Sequence, residues 1–268
     1  MQWFRRAIHA MSASFIAFYI LEDGGFWFAI KRLIAIGILL YMLHWGVKRK
    51  IKEDRIHGLL RDHEVMSVPS FIWFGFGSVI LLMMPLSIEI NGTLNLAAIG
   101  ASCIFAAGLV DPVMGTVRER GGGLGGFIVG FLLASFVYYL FGMEEFSFIG
   151  GLAFATCETF SKRIDDDFTT LMGPAAVFLA LGFFGYLPHA GLPFTQISLP
   201  VIMGLCPIMV FLARRSMEEK FLIMVTLLIP VSIAALLVIQ GGWELAALML
   251  AIQIPFDVMA IKEMIQKR

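Results

Sequence analysis

The stretch Glu158-Thr-Phe-Ser-Lys-Arg-Ile-Asp-Asp-Asp167 places four carboxylates and two cations between two apolar runs. Hard oxygen ligands of this kind suit Mg²⁺, which takes one or two carboxylates together with the phosphate oxygens of a substrate. Three consecutive aspartates repel one another unless a cation relieves them; the plainer reading is a solvated loop of mixed charge. A second cluster surrounds Asp111 in Gly108-Leu-Val-Asp-Pro-Val-Met-Gly115, followed by Arg118, Glu119, Arg120 and the run Gly121-Gly-Gly-Leu-Gly-Gly126. A carboxylate, two arginines and a glycine loop that opens a helix are the parts needed to hold a metal-bound polyphosphate. Glycine lets backbone N–H groups reach phosphate oxygens, and a helix N-terminus favours the anion. The plainer reading here is a turn followed by a helix that packs on its glycines. No Gly-Lys-Ser/Thr follows, so this is not a Walker A loop. A third group comprises Arg6 and His9, with Arg61, Asp62, His63 and Glu64. These either meet a lipid or its headgroup or anchor helix ends at an interface.

These residues have to be positioned by membrane helices. The 268-residue chain is 59% hydrophobic and 15% charged, with a mean hydropathy of +0.86, against about a quarter charged for a soluble domain. Apolar runs near the length of a bilayer-spanning helix fall at roughly 8–21, 33–47, 67–86, 94–115, 122–143, 148–160, 168–187, 193–213, 221–239 and 243–261. The expected fold is therefore all-α, a polytopic transmembrane bundle of about 9–10 segments forming one integral membrane domain over 1–268. Of the 20 Lys and Arg residues, all but Lys31 and Arg32 fall in alternate connections. By the positive-inside rule those connections, both termini and the three clusters are expected on the cytoplasmic side. The formal net charge of zero gives no footprint for nucleic acid. Cys103, Cys157 and Cys206 lie in apolar runs without metal-ligand spacing and read as small apolar residues. The first apolar run has no signal-peptide cleavage site and meets Glu22 and Asp23.

In this order the clusters resemble the CTP-dependent polyprenol and lipid kinases (dolichol kinase, phytol kinase and the yeast-type diacylglycerol kinase), and more distantly the CTP:phosphatidate cytidylyltransferases. Arg5-Arg-Ala-Ile-His9 is similar to the family's Arg-Lys-x-x-His, with Arg6 in place of lysine. His63-Glu64 followed by Phe71-Ile-Trp-Phe-Gly-Phe-Gly77 resembles its His-Glu element and glycine-bearing span. Asp111 falls on the Gly-Asp signature, with Val110 in place of glycine. Glu158, Asp166 and Asp167 keep the spacing of the most specific motif, with Asp167 where dolichol kinases usually have Asn. No lysine matches the family's Lys-x-x-x-Gly-Ser element near Gly121. The resemblance covers residues 5 to about 175.

The resemblance implies Mg²⁺- and CTP-dependent phosphorylation of a membrane isoprenoid alcohol or a similar lipid hydroxyl. In that reading Asp111, Asp166 and Asp167 hold the metal. Arg118, Arg120, Gly121, Gly122, Gly123 and Lys162 meet the nucleotide. Glu158 and the aspartates orient the acceptor hydroxyl and take its proton, and Arg6, His9, His63 and Glu64 serve the lipid or headgroup. The membrane would be the plasma membrane in a prokaryote or the endoplasmic reticulum in a eukaryote. Cytidylyl transfer to a lipid phosphate would use the same site. Two further readings are a transporter, disfavoured because no midplane carboxylate is evident, and a catalytically inactive family member.

Overall fold

Apolar surroundings leave backbone polar groups no water to pair with, and helix satisfies them within one segment. The computed structural model describes residues 2–13, 68, 70–89, 93–161, 164–187 and 242–266, with isolated positions in 26–44 and 227–238. These residues are mostly helical. The helices are α1 (Gln2–Met11), α2 (Ser70–Leu82), α3 (Leu96–Leu140), α4 (Ser147–Phe160), α5 (Asp166–Phe183) and α6 (Trp243–Gln266). Among the described residues, two helices are long and apolar enough to cross a membrane, Leu96–Leu140 and Trp243–Glu263. The expected spans at 193–213 and most of 33–47 and 221–239 lie outside the described residues, as does the polar stretch 48–64. An antiparallel ribbon, unexpected from the sequence, joins α2 to α3. Its strands β1 (Ser87–Glu89) and β2 (Thr93–Asn95) pair Ser87 with Asn95, Ile88 with Leu94 and Glu89 with Thr93. Asn95 then caps α3, its side-chain oxygen accepting from the Ala98 N–H at 2.9 Å, which satisfies one of the donors a helix start leaves open.

The runs at 94–115 and 122–143, read from the sequence as two spans separated by a glycine loop, form one element with a sharp break. Gly122 alone is non-helical inside α3, at φ +78° and ψ 174°, in a region where a side chain would be strained. Beyond the break the second half folds back on the first. A Cβ at Gly126 would stand 3.0 Å from Arg118 Cβ, and one at Gly130 would stand 2.4 Å from Met114 Sδ. The glycines therefore make a tight helical hairpin, with bare faces that let two helices approach closely.

The first half of α3 is the centre of the molecule. Ile99, Cys103, Phe105 and Leu109 are fully buried, and α1, α2, α4, α5 and α6 all pack against α3. Tyr138 and Phe178 meet edge-on at 4.9 Å between ring centroids, joining α3 to α5. Leu132, Phe136, Phe148, Leu152 and Phe183 turn outward and are exposed. Helix α4 lies against the second half of α3 through Gly151, where a Cβ would come within 2.0 Å of Ser135 Oγ and 2.7 Å of the Phe131 carbonyl oxygen. Backbone cannot yield as a flexible side chain can. Gly151→Ala is expected to destabilise the fold by about 2 kcal/mol, read as a lower thermal midpoint of the purified protein. A midpoint equal to the wild type's would mean that α3 and α4 do not pack this way.

Candidate functional site

The start of α5 is built to present carboxylates. Asp165 caps the helix, its Oδ1 accepting from the Asp167 N–H at 3.1 Å. Ser70 at the start of α2 donates to Asp165 Oδ2 at 3.2 Å, so the cap is tied to a second helix. Asp166 and Asp167 occupy the first turn, where the helix dipole favours negative charge. Asp167 points inward and is only 4% exposed. Asp111 reaches the same place from α3, and His9 reaches it from α1. Each of these three residues offers one ligand atom, and those atoms lie within 4.8 Å of one another.

His9 is the hub of the three. Its Nε2 is 3.2 Å from the Ala107 carbonyl oxygen and 3.5 Å from Asp111 Oδ2. Its Nδ1 is 3.8 Å from Asp167 Oδ1. Since a carbonyl only accepts, the contact with Ala107 places the imidazole hydrogen on Nε2 and leaves Nδ1 as the lone-pair atom that faces Asp167. An imidazole steered by a backbone carbonyl is how proteins commonly prepare a histidine for a metal. Phe74 closes the ring's other side, edge-on at 5.4 Å.

Glu158 completes the cluster from the last turn of α4. It is 6% exposed; its Oε1 accepts from the Arg118 guanidinium, and its Oε2 is buried with no hydrogen-bond partner. Asp167, which precedes the apolar run of its helix, has its carboxyl pushed well above the usual range. Burial is the main cause, followed by the charges of Asp111, Asp166 and Asp165, with Arg5 opposing. Two buried carboxylates, Glu158 and Asp167, thus stand beside the half-buried Asp111, with the Arg118 guanidinium on Glu158 and Arg5 opposing the negative charge around Asp167. Carboxylates buried in this way call for protons, partner cations or a bound metal ion. Two carboxylates and an imidazole nitrogen are a donor set that accepts Mn²⁺ as readily as Mg²⁺, because nitrogen ligands belong to the first-row ions more than to magnesium.

The sequence analysis grouped Asp111, Glu158, Asp166 and Asp167 with Arg118, and the structure brings these residues together. His9, assigned there to the lipid headgroup, stands among the carboxylates. Arg6 pairs instead with Glu119 at 2.5 Å, and the hydrogen bond from Arg6 is the first reason the Glu119 carboxyl is held below its usual range. Arg120, Gly121, Gly122 and Gly123 are exposed at the hairpin turn. His63, Glu64 and Lys162 lie outside the described residues. Two polar residues in α6 escaped the sequence reading. Gln253 and Asp257 are 1% and 2% exposed, and Asp257 is a carboxylate buried inside a helix long enough to span a membrane. A Gln-x-x-x-Asp pair on one face of an otherwise apolar run was the signal available. A cleft of about 360 Å³ lined by Tyr139, Glu144 and Glu244, among others, lies at the far end of the α3 hairpin and shares no residue with the carboxylate cluster. Compared with family models, curated proteins and solved structures, the chain shows no match.

Proposed function

We propose that this chain is an integral membrane phosphotransferase, a polytopic helical bundle that moves the γ-phosphoryl group of CTP to the hydroxyl of a membrane isoprenoid alcohol or similar lipid at its cytoplasmic face. One observation carries the reading. His9, Asp111 and Asp167 come from three helices far apart in sequence and place their ligand atoms within 4.8 Å of one another, beside a buried Glu158 with one unpartnered oxygen. Phosphoryl transfer asks a protein mainly for positioning and for neutralisation of charge. A divalent ion, when bound, would neutralise charge on the phosphate oxygens. His9 Nδ1, Asp111 and Asp167 are the groups that would hold it, with Asp166 adjoining.

The remaining roles fall to the chain's own side chains. Arg118 holds Glu158 in place and is partly exposed, so its guanidinium lies between the buried carboxylates and solvent. Glu158 Oε2, buried without a donor, is suited to accept a hydrogen bond from an acceptor hydroxyl and then its proton. Arg120, exposed at the hairpin turn next to the glycines, is available to the nucleotide's phosphates. The outward-facing phenylalanines and leucines of α3, α4 and α5 fit contact with lipid tails, which would keep the alcohol beside the bundle.

The test is transfer of label from γ-labelled CTP to added polyprenol or diacylglycerol by the purified protein, with Mg²⁺, Mn²⁺ or EDTA, and in parallel from γ-labelled ATP to the same alcohols and from α-labelled CTP to an added lipid phosphate. Label is expected in lipid from γ-labelled CTP, in either metal but not in EDTA. Label from the α position would replace the kinase reading with cytidylyl transfer. No label from any donor would end the phosphotransferase reading.

A further inference from the structure

The geometry points to Gln253 as a positioning residue for the His9–Asp111–Asp167 site, acting through helix α1, with Asp257 fixing the orientation of its amide. The inference rests on the reading of that cluster as a metal site. Helix α1 is only ten residues long, yet it supplies the imidazole, so something must fix its position along and around its own axis. Ala13, just beyond its end, lies against the bare backbone of Gly108 in α3, where a Cβ would approach the Ala13 nitrogen to 2.7 Å. Trp3 packs on Phe256 of α6 at 5.7 Å between centroids. Both are apolar contacts, which hold a helix close without selecting its rotation. Directional contacts come from Arg6 on Glu119, from His9 on the Ala107 carbonyl and, on the α6 side, from Gln253, whose Nε2 donates to the Ala7 carbonyl oxygen at 3.1 Å, two residues before His9.

A glutamine amide can turn over and offer its oxygen where its nitrogen stood. Asp257, one helical turn along α6, prevents this: its Oδ1 accepts from the same Nε2 at 2.8 Å. Both hydrogens of the amide are thereby assigned, one to α1 and one to Asp257. The arrangement leaves Gln253 Oε1 and Asp257 Oδ2 buried without partners. Orphaned buried acceptors oppose folding, so the pair is a poor device for stability alone, and what it does supply is direction. Rotating α1 by a few degrees would carry His9 Nδ1 away from Asp167 while leaving the apolar contacts nearly intact.

The experiment is a Mn²⁺ titration of the purified full-length protein, followed by the paramagnetic resonance signal of the free and bound ion, with thermal midpoints measured in parallel. Wild type is expected to bind, and Asp111→Asn to lose binding. Gln253→Leu is expected to weaken binding about tenfold, in the range for residues that orient metal ligands. Asp257→Asn should bind like wild type, because its amide oxygen can still accept from Gln253 Nε2. The double variant Gln253→Leu/Asp257→Leu separates positioning from stability. Removing both polar partners should leave the midpoint at or above wild type while Mn²⁺ affinity stays about tenfold low. Wild-type affinity in the double variant would overturn the inference, and a tenfold loss in Asp257→Asn would overturn the assigned role of its hydrogen bond. If Asp111→Asn abolishes binding and Gln253→Leu does not weaken it, the positioning role falls and the metal site stands. If wild type binds no Mn²⁺, both fall.

Discussion

Asp167→Asn is expected to lower lipid phosphorylation by about a thousandfold, with the protein still folded. A metal's contribution to charge stabilisation is several kcal/mol, and about 4 kcal/mol corresponds to that factor. Asparagine matches the aspartate in shape, so the packing of a nearly buried side chain at the start of α5 is preserved. What changes is the group that faces His9 Nδ1 at 3.8 Å, from a carboxyl that can give up its proton to a bound cation to an amide that cannot. The informative partner is Asp165→Asn. Asp165 carries the same charge two residues away, but its visible work is to cap α5 and to accept from Ser70. Asparagine caps a helix as well as aspartate does, so this variant is expected to lose less than about tenfold, most of it through the lost local charge. If the two variants were equally impaired, the cluster would be acting as diffuse negative charge, and the three-residue site would have to be given up. Removing divalent ions with EDTA should reproduce the Asp167→Asn loss in the wild type and change the variant little further.

The parts of this site that were legible in the sequence are those carried by charge. A carboxylate costs so much in apolar surroundings that its presence there is a signal in itself; Asp111 and the Glu158–Asp167 stretch stood out on that ground as two clusters, and the family resemblance joined them into one site. The role of His9 was not legible, since an imidazole beside Arg5 and Arg6 suits an interface equally well. Only the crossing of α1 over α3 puts it 3.2 Å from the Ala107 carbonyl. The glycine run left two readings open for a related reason. Gly121 to Gly126 has the composition of a phosphate loop, but composition does not say whether small residues face a ligand or a helix. Here Gly126 and Gly130 face Arg118 and Met114 of the same helix. The segments at 148–160, 168–187 and 243–261 were found close to their observed limits because apolar length and helix length coincide there. The ribbon at 87–95 is too short to impose an alternating pattern. Asp257 stands alone as a charge inside its apolar run, and only the helix shows that Gln253, one turn away, is its hydrogen-bond partner.

The pair formed by Arg118 and Glu158 makes the other large prediction, and it concerns stability before chemistry. Arg118→Met keeps the length and apolar stem of the side chain but strips a carboxylate that is 6% exposed of its guanidinium donor. Its second oxygen already lacks a partner. Breaking a buried pair from one side costs about 3–5 kcal/mol; Arg118 is partly solvated, which reduces the expected loss to about 2–3 kcal/mol. The thermal midpoint should therefore fall clearly. Arg118→Met/Glu158→Leu should recover most of that loss, because the stranded charge goes with its partner. Mn²⁺ should raise the midpoint of Arg118→Met more than that of wild type, since Glu158 has lost the cation that Arg118 supplied. A single variant as stable as wild type would mean that Glu158 already finds its balance elsewhere, and the buried pair would lose its structural role. Arg120 provides the contrast on the same hairpin. It is exposed, so Arg120→Ala should leave the midpoint unchanged and, in the proposed reaction, weaken nucleotide binding instead. The two arginines are separated by one residue, but they divide the work, with Arg118 committed to holding Glu158 and Arg120 left to meet what arrives from solvent.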